Sequence, residues 1–422
     1  MSNTASHPKL GSREFTVMIA MIMALSALSI DIMLPTFGAV RREFGLPADS
    51  TAPAAIVTFF FLGLAIAQVF FGPLADRFGR KPVLYAGLVV YVASALSATL
   101  APTLEMVLVS RFIWGVGAAA PRVVAISMVR DAYEGEAMAR TMSVIMSIFV
   151  LVPVVAPSVG ALILNVASWR WVFGACALFA VAMALWTLRL PESLKPENRL
   201  PLRFDSIAAA AKTVLKNRQT IGYTLAMTFV FGVFMSYLAS SELIVSDVFD
   251  RAELFPYVFG GLAAVMGAAM LANAAIVSRV GLRRLVRAVL VLYVAGAIGL
   301  VVLAVVTDGV PTFWIFLIGL AFMLSMHAIL IPNFNTLAMN PMGKVAGTAA
   351  ALIGTISTAG GAALGSVLDR TFNGTVIPFT LGFLGFGIVA AGFVFWAERG
   401  RRLVETQELS EEALARAAAL GG

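Results

Sequence analysis

The sequence predicts an all-α membrane protein of twelve spanning helices in two six-helix bundles, with both termini in the cytoplasm. Three observations carry this. Of the 422 residues, 60% are hydrophobic and only 13% charged, whereas soluble domains carry about 25% charged residues. There is too little charge to coat a water-facing surface. Apolar runs long enough to cross a bilayer, which takes about 20 residues, recur twelve times. Finally, the basic residues fall almost entirely on one side of the resulting topology.

The runs cover residues 15–40, 54–74, 82–101, 103–127, 141–164, 171–190, 220–244, 256–278, 285–306, 313–333, 346–369 and 376–397. The first is longer than the ~7–15 apolar residues of a cleavable signal, so it reads as a span. Connections are short and polar except for Pro191 to Gln219, rich in Lys, Arg, Pro and Glu, at the midpoint of the chain. The expected organisation is a bundle over residues 1–190, a cytoplasmic linker over 191–219, a second bundle over 220–397 and a cytoplasmic tail over 398–422. In the tail, Glu and Arg from Val404 onward are spaced for a short amphipathic helix; a solvated, frayed end is the simpler expectation.

Orientation follows from the bases. With the N-terminus inside, 23 of the 30 lysines and arginines lie in cytoplasmic segments, while Arg41, Arg42, Arg170, Arg251 and Arg370 lie outside; Arg111 and Arg122 fall within the fourth span. Positive residues concentrate on the cytoplasmic side of membrane proteins. The net charge of +7 is therefore topological and implies no nucleic-acid partner. The halves also repeat. Asp76-Arg77-Phe78-Gly79-Arg80-Lys81 follows the second span, and 202 residues later Ser278-Arg279-Val280-Gly281-Leu282-Arg283 follows the eighth. Both loops lie on the same side, so the repeats are parallel, as in carriers whose halves rock about an axis along the membrane normal.

One cysteine, Cys176, and two histidines, His7 and His327, exclude an intrachain disulfide and argue against a metal site or any cofactor. No nucleophile–base set suggests an enzyme.

Four stretches carry chemistry. Gly72-Pro73-Leu74-Ala75-Asp76-Arg77-Phe78-Gly79-Arg80-Lys81-Pro82 combines a turn glycine with bases that hold a loop at the cytoplasmic surface. The fourth span holds Arg111-Phe112-Ile113-Trp114-Gly115-Val116-Gly117-Ala118-Ala119-Ala120: an intramembrane arginine needs a partner, a wet cavity or a route to the surface, and small residues admit a neighbouring backbone. The fifth span holds Val152-Pro153-Val154-Val155-Ala156-Pro157-Ser158-Val159-Gly160-Ala161, and the first holds Leu28-Ser29-Ile30-Asp31-Ile32-Met33-Leu34-Pro35. Asp31, the lone carboxyl within that helix, is a candidate for proton exchange unless it lies close enough to the outer surface to be solvated.

Together these motifs resemble the major facilitator superfamily, in its twelve-spanning drug:proton antiporter family, and the first-span run together with Ser168-Trp169-Arg170-Trp171-Val172-Phe173 resembles its bicyclomycin and chloramphenicol resistance branch. The resemblance implies a bacterial inner-membrane, multidrug-efflux antiporter of antibiotic-resistance type, working on a small molecule and protons. It implies a conformational gate at Gly72, Asp76, Arg77, Gly79, Arg80 and Lys81. In that gate Asp76 lies at the start of the eleventh span and Arg80 reaches Asp131 in the outward-open state. It implies proton coupling through Asp31 and Arg111, Arg111 favouring the ionised carboxylate. It also implies an antiporter motif in which Pro157 and Gly160 hold their places; Val152, Ala156 and Ala161 replace its other glycines, and Trp114 replaces a polar residue in the fourth span.

Glu242, late in the seventh span, and Arg122, after Pro121, are possible substrate or proton sites without a counterpart in that resemblance, although each also suits a helix-end or snorkelling role. His327 reads as a packing histidine. The expected function is proton-coupled export of small amphipathic, neutral or cationic compounds by a monomer. A proton symporter for a sugar or metabolite would need more polar groups inside the helices, and a receptor without a transport cycle would not explain the loop motif or the repeat.

Overall fold

The computed structural model describes residues 12–199 and 204–420; His7, Lys9 and Arg203 lie outside them. Twelve helical spans are long and apolar enough to cross a membrane: Arg13–Glu43, Ala52–Phe78, Arg80–Leu100, Leu104–Ala132, Arg140–Val166, Arg170–Arg189, Arg218–Val248, Ala252–Val280, Leu282–Val306, Phe313–Gly343, Ala346–Asp369 and Ile377–Arg399. They are called here the first to the twelfth span. The expected runs coincide with them one for one. The face carrying the loops after the even-numbered spans is the basic face.

The packing shows the repeat more clearly than the sequence does. In the first six spans, the fourth packs on the second and third, the first on the fourth, fifth and sixth, and the third on the sixth. In the second six, the tenth packs on the eighth and ninth, the seventh on the tenth, eleventh and twelfth, and the ninth on the twelfth. Adding six to each number converts one set into the other. The two halves meet along two seams, second span on eleventh and fifth on eighth, and the same operation exchanges the seams.

Small residues make these contacts possible. A Cβ on Gly63 would lie 2.0 Å from the Phe112 carbonyl oxygen, and one on Gly115 would lie 2.0 Å from that of Phe60. The second and fourth spans therefore touch backbone to backbone, the close approach that glycine provides in apolar surroundings, where the hydrophobic effect does not drive helix association. The repeated loops turn on Gly79 at φ +106° and Gly281 at φ +86°, a region L side chains rarely adopt.

Two segments differ from expectation. The central connection contains a helix, Phe204–Lys216, packed on the seventh and eleventh spans. The tail does not fray: Ile377–Leu420 is one continuous helix, because no proline or glycine pair interrupts the chain where the twelfth span leaves its apolar run.

The glycine contact yields a direct test. Gly115→Val places two methyl groups into the Phe60 backbone and is expected to destabilise the chain by about 1–3 kcal/mol or more, read as a lower melting temperature in detergent. Gly299→Ala, at a position with nothing within 4 Å, is expected to leave it unchanged.

Candidate functional site

The first span is discontinuous. Its helix runs Ser12–Asp31, gives way to a 3-10 turn at Leu34–Thr36, and resumes at Phe37–Glu43. Proline has no N–H, so Pro35 cannot bond the Asp31 carbonyl, and across the break only the Ile32 N–H to Leu28 carbonyl bond, 3.1 Å, keeps helical spacing. Irregular backbone at membrane depth persists only where protein or a water-filled cavity satisfies it. Here two neighbours lie on the break, and one of them supplies a donor.

Arg111 is the first. It is fully buried and does not snorkel to the surface. Its guanidinium donates to the Ser29 carbonyl at 3.0 Å and to the Ile56 carbonyl at 3.3 Å, tying the first, second and fourth spans together. The same group lies 4.5 Å from the centroid of Phe60 and 4.6 Å from that of Trp114, a cation–π arrangement in the range that contributes when desolvated. This gives the tryptophan that stands in for a polar residue a physical role: it supplies a π-face to the charge. Arg111 makes no ion pair with Asp31, its expected partner, among the described residues: Nε and Nη2 donate to the two carbonyls, and Nη1 is buried without a hydrogen-bond partner.

Gly160 is the second neighbour. A Cβ there would lie 1.9 Å from the Ile32 carbonyl oxygen and 3.2 Å from Pro35, so the fifth span lies directly on the break. Pro157, one turn earlier, is buried too. Gly160, one of the two surviving residues of the expected antiporter motif, is thus part of the packing at the break beside Asp31.

Asp31 itself is 5% exposed, which removes the alternative of a solvated surface acid. Among the described residues its carboxylate has no hydrogen bond or ion pair. Tyr237 of the seventh span lies within electrostatic reach of it, its hydroxyl buried and unpartnered. Tyr237 begins an aromatic wall: it stacks on Phe259 at 5.4 Å, Phe234 stacks on His327 at 4.7 Å, and Phe231 meets Phe61 of the other half at 6.1 Å. His327 is a stacked, packed histidine, as expected. Arg122 is exposed to solvent and has no ion pair among the described residues.

Glu242 is not an isolated vestibule acid. It accepts a hydrogen bond from Arg41 at 2.7 Å, with both side chains almost wholly buried, and Arg41 also donates to the Ser50 carbonyl at 3.1 Å. This is the one ion pair joining the two halves among the described residues, and it lies on the face opposite the basic loops. On the basic face, Arg80 binds Asp131 at 2.9 Å and Asp76 at 2.5 Å, and Ser193 donates to Asp131 at 2.9 Å. The expected Arg80–Asp131 contact is therefore present, but Asp76 engages Arg80 and not the start of the eleventh span, and the cluster stays within one half. Arg77 and Lys81 are exposed or nearly so, Lys81 donating to the Leu188 carbonyl at 3.0 Å. Gly72, Gly343 and Gly347 face open space. The halves are joined opposite the basic face and separate at it.

Sequence reasoning missed Arg41, counted only as an outside base, and Asp369, which accepts hydrogen bonds from Ser236 at 2.6 Å and Ser240 at 2.7 Å. The four-residue spacing of those serines places them on one helix face, a signal available in the sequence. Among the described residues no group of three or more His, Cys, Asp or Glu could hold a metal.

Removing one partner of a buried pair leaves an unpaired charge, at a cost of about 3–5 kcal/mol. Glu242→Gln is therefore expected to open the face opposite the basic loops. A Cβ added at Gly38 would lie 3.4 Å from the Glu242 carboxylate, so a cysteine placed there reports on this closure. In a chain with Cys176→Ala, Gly38→Cys is expected to react with an impermeant maleimide at least tenfold faster in the Glu242→Gln background.

Comparison with known proteins gives a consistent picture. The sequence profile of the Major Facilitator Superfamily matches residues 15–366. The chain is 29% identical over 372 residues to a bicyclomycin resistance protein homolog of Haemophilus influenzae, covering 87% of this chain and 92% of that protein. It is 30% identical over 220 residues to the chloramphenicol resistance protein CraA of Acinetobacter baumannii, 51% and 52% of the two chains. It is 28% identical over 244 residues to the multidrug resistance protein MdtL of Escherichia coli, 57% and 61%. Among solved structures, the partially occluded inward-open xylose transporter XylE of E. coli superposes with a TM-score of 0.72 at 12% identity, covering 92% of this chain and 98% of that one. The human organic anion transporter MFSD10 gives 0.65 at 17% identity, covering 93% and 100%. At these identities the two structures share the fold.

Proposed function

Because the chain belongs to the Major Facilitator Superfamily and is a multi-pass membrane protein, we propose that it is a proton-coupled exporter of small amphipathic compounds, neutral or cationic, working by alternating access. The observation that carries this reading is Asp31: a buried carboxyl with no counter-ion among the described residues, at a break in the first span and opposite an aromatic wall. The named resistance and efflux proteins among its relatives support the same reading, and they make a sugar or metabolite importer the weaker alternative. The chemistry is transport; no bond is made or broken.

An ionised carboxylate buried without a partner is costly. What enters the Asp31 site therefore decides its charge. A proton can neutralise it, and so can a cationic or hydrogen-bond-donating compound lying on the aromatic wall. Two ligands that compete for one group cannot both be held strongly, and that negative coupling is the thermodynamic requirement for exchange. Arg111 acts here as a positioning residue, holding the backbone at Ser29 so that Asp31 keeps its place. Arg122 adds a positive charge within the fourth span, which disfavours strongly cationic compounds and leaves neutral amphipathic ones the better fit.

We take the basic face as cytoplasmic, since positive residues concentrate there, and residues 1–190 and 220–397 as the two moving halves. In this reading the Arg41–Glu242 pair closes the outside. The Asp76–Arg80–Asp131 cluster, with Gly72, Arg77, Gly79 and Lys81, forms a gate that bridges the halves when the cycle reverses. One chain holds both halves and both seams, so a monomer suffices.

The test uses inside-out vesicles with an imposed pH gradient and a pH-sensitive dye, challenged with neutral, cationic and anionic drugs. Collapse of the gradient by neutral or cationic compounds is expected for the wild type, and a loss of at least tenfold in rate for Asp31→Asn. Collapse that is equal in both would move the proton site away from Asp31; an absence of response in both, alongside uptake of a labelled metabolite into right-side-out vesicles, would favour the importer.

A further inference from the structure

The two repeated loops start their following helices in the same way but end differently. After Gly79, the first N–H groups of the third span are capped by this chain's own carboxylate: Arg80 N–H donates to Glu192 Oε1 at 2.9 Å and Lys81 N–H to Glu192 Oε2 at 2.9 Å. The first turn of a helix carries unpaired N–H groups and a partial positive charge, so an oxyanion is the fitting occupant. The acids of that loop also neutralise its bases, Arg80 by Asp76 and Asp131.

In the second half the equivalent helix starts at Leu282 after Gly281, which provides no side-chain cap. No carboxylate reaches the N–H groups of Leu282, Arg283 or Arg284 among the described residues. Ser278 stands where the first loop has Asp76, and its hydroxyl bonds back to the Ala275 carbonyl at 2.9 Å. Glu398, at the end of the twelfth span, engages the Arg283 side chain. At this helix start there is an open cavity of about 490 Å³ whose lining includes Arg283, Arg284 and Arg287 together with Val280 and Leu337. Arg284 and Arg287 are exposed and have no acidic partner among the described residues. Val280 is 44% exposed, and Ile276, one turn earlier, is 37% exposed, so the apolar side of the cavity continues along the membrane-facing surface of the eighth span.

We propose that this cavity binds the phosphate of an acidic phospholipid headgroup, in the place that Glu192 fills in the first half. The arginines and the helix start take the phosphate oxygens, for which guanidinium geometry is well matched. The exposed Val280 and Ile276 side chains meet the beginning of the acyl chains, which a free phosphate does not have. Occupancy ties the start of the ninth span in place. Through Arg283 it acts on Glu398 of the twelfth span and on Gln219 at the start of the seventh, 3.4 Å from Arg283. The ligand therefore stabilises the second half as a unit at the membrane surface.

The experiment measures lipids that remain bound to the purified full chain, by native mass spectrometry, from nanodiscs of phosphatidylcholine with added phosphatidylglycerol. Arg284→Gln/Arg287→Gln alters two exposed side chains and is compared with Arg130→Gln/Arg140→Gln, which removes the same charge from exposed positions on the same face. Size-exclusion profiles and melting curves in phosphatidylcholine alone report whether each variant is folded. Retained phosphatidylglycerol is expected to fall roughly fivefold per arginine removed in the first pair, the effect of one basic residue near an anionic surface, and to change little in the second. Equal loss in both pairs would overturn the proposal in favour of diffuse surface charge, as would unchanged retention in both. Competition by millimolar inorganic phosphate that empties the site would overturn the lipid as its source.

Discussion

The guanidinium of Arg111 and the carbonyl of Ser29 that it holds are the contact on which the first half depends. A bilayer offers no water to a free carbonyl, so a helix can break inside it only where protein supplies donors. Arg111 supplies them from the fourth span, Gly160 lets the fifth span press on the opposite side of the break, and Pro35 makes the break unavoidable. The charge this requires is itself buried, and its stabilisation by Phe60 and Trp114 explains why a tryptophan is compatible with this position. Asp31 sits at the only point of the first span where the backbone leaves the helix, so its placement and the break have one cause.

The halves meet differently at the two faces, and the difference suits a molecule that must alternate. Opposite the basic loops, the closure is a buried ion pair between the halves, Arg41 with Glu242. The attraction within such a pair is largely offset by the desolvation of both partners, so opening costs little once water enters. On the basic face no hydrogen bond or ion pair joins the halves among the described residues; Arg80 is held by Asp76 and Asp131 within the first half and Arg283 by Glu398 within the second. The halves stay in contact along the second and eleventh spans, where Thr355 donates to the Ala65 carbonyl at 2.7 Å, and along the fifth and eighth.

What was legible in the sequence follows from the range of the interactions. Spans are set by local apolar length, so all twelve could be read. The loop motif is local as well, and its Arg80–Asp131 contact links neighbouring spans of one bundle. The Arg41–Glu242 pair joins residues 201 positions apart across two bundles, and nothing in the pattern of either helix end names its partner. Arg111 shows the opposite limit. Its burial could be read from its place in the fourth span, but an acid was the expected partner, because sequence displays side chains and hides carbonyls. The linker helix Phe204–Lys216 was obscured by a composition typical of a polar connection.

The second half holds a buried acid of its own, and the contrast between the two shows why one of them fits an exchange site. Asp369 receives hydrogen bonds from Ser236 and Ser240 on the same carboxylate oxygen, which joins the eleventh span to the seventh near the end opposite the basic face. One of its two oxygens is thus held by the fold, and a ligand at that oxygen would have to displace structural contacts. Asp31 has the same burial, 5% exposed in each case, with none of those donors among the described residues. Of two equally buried carboxyls, the one the protein has tied serves packing, and the one it has left untied is open to a proton or a substrate. The repeat preserves the helix packing but does not place equivalent carboxyls, Asp31 lying in the first span and Asp369 in the eleventh.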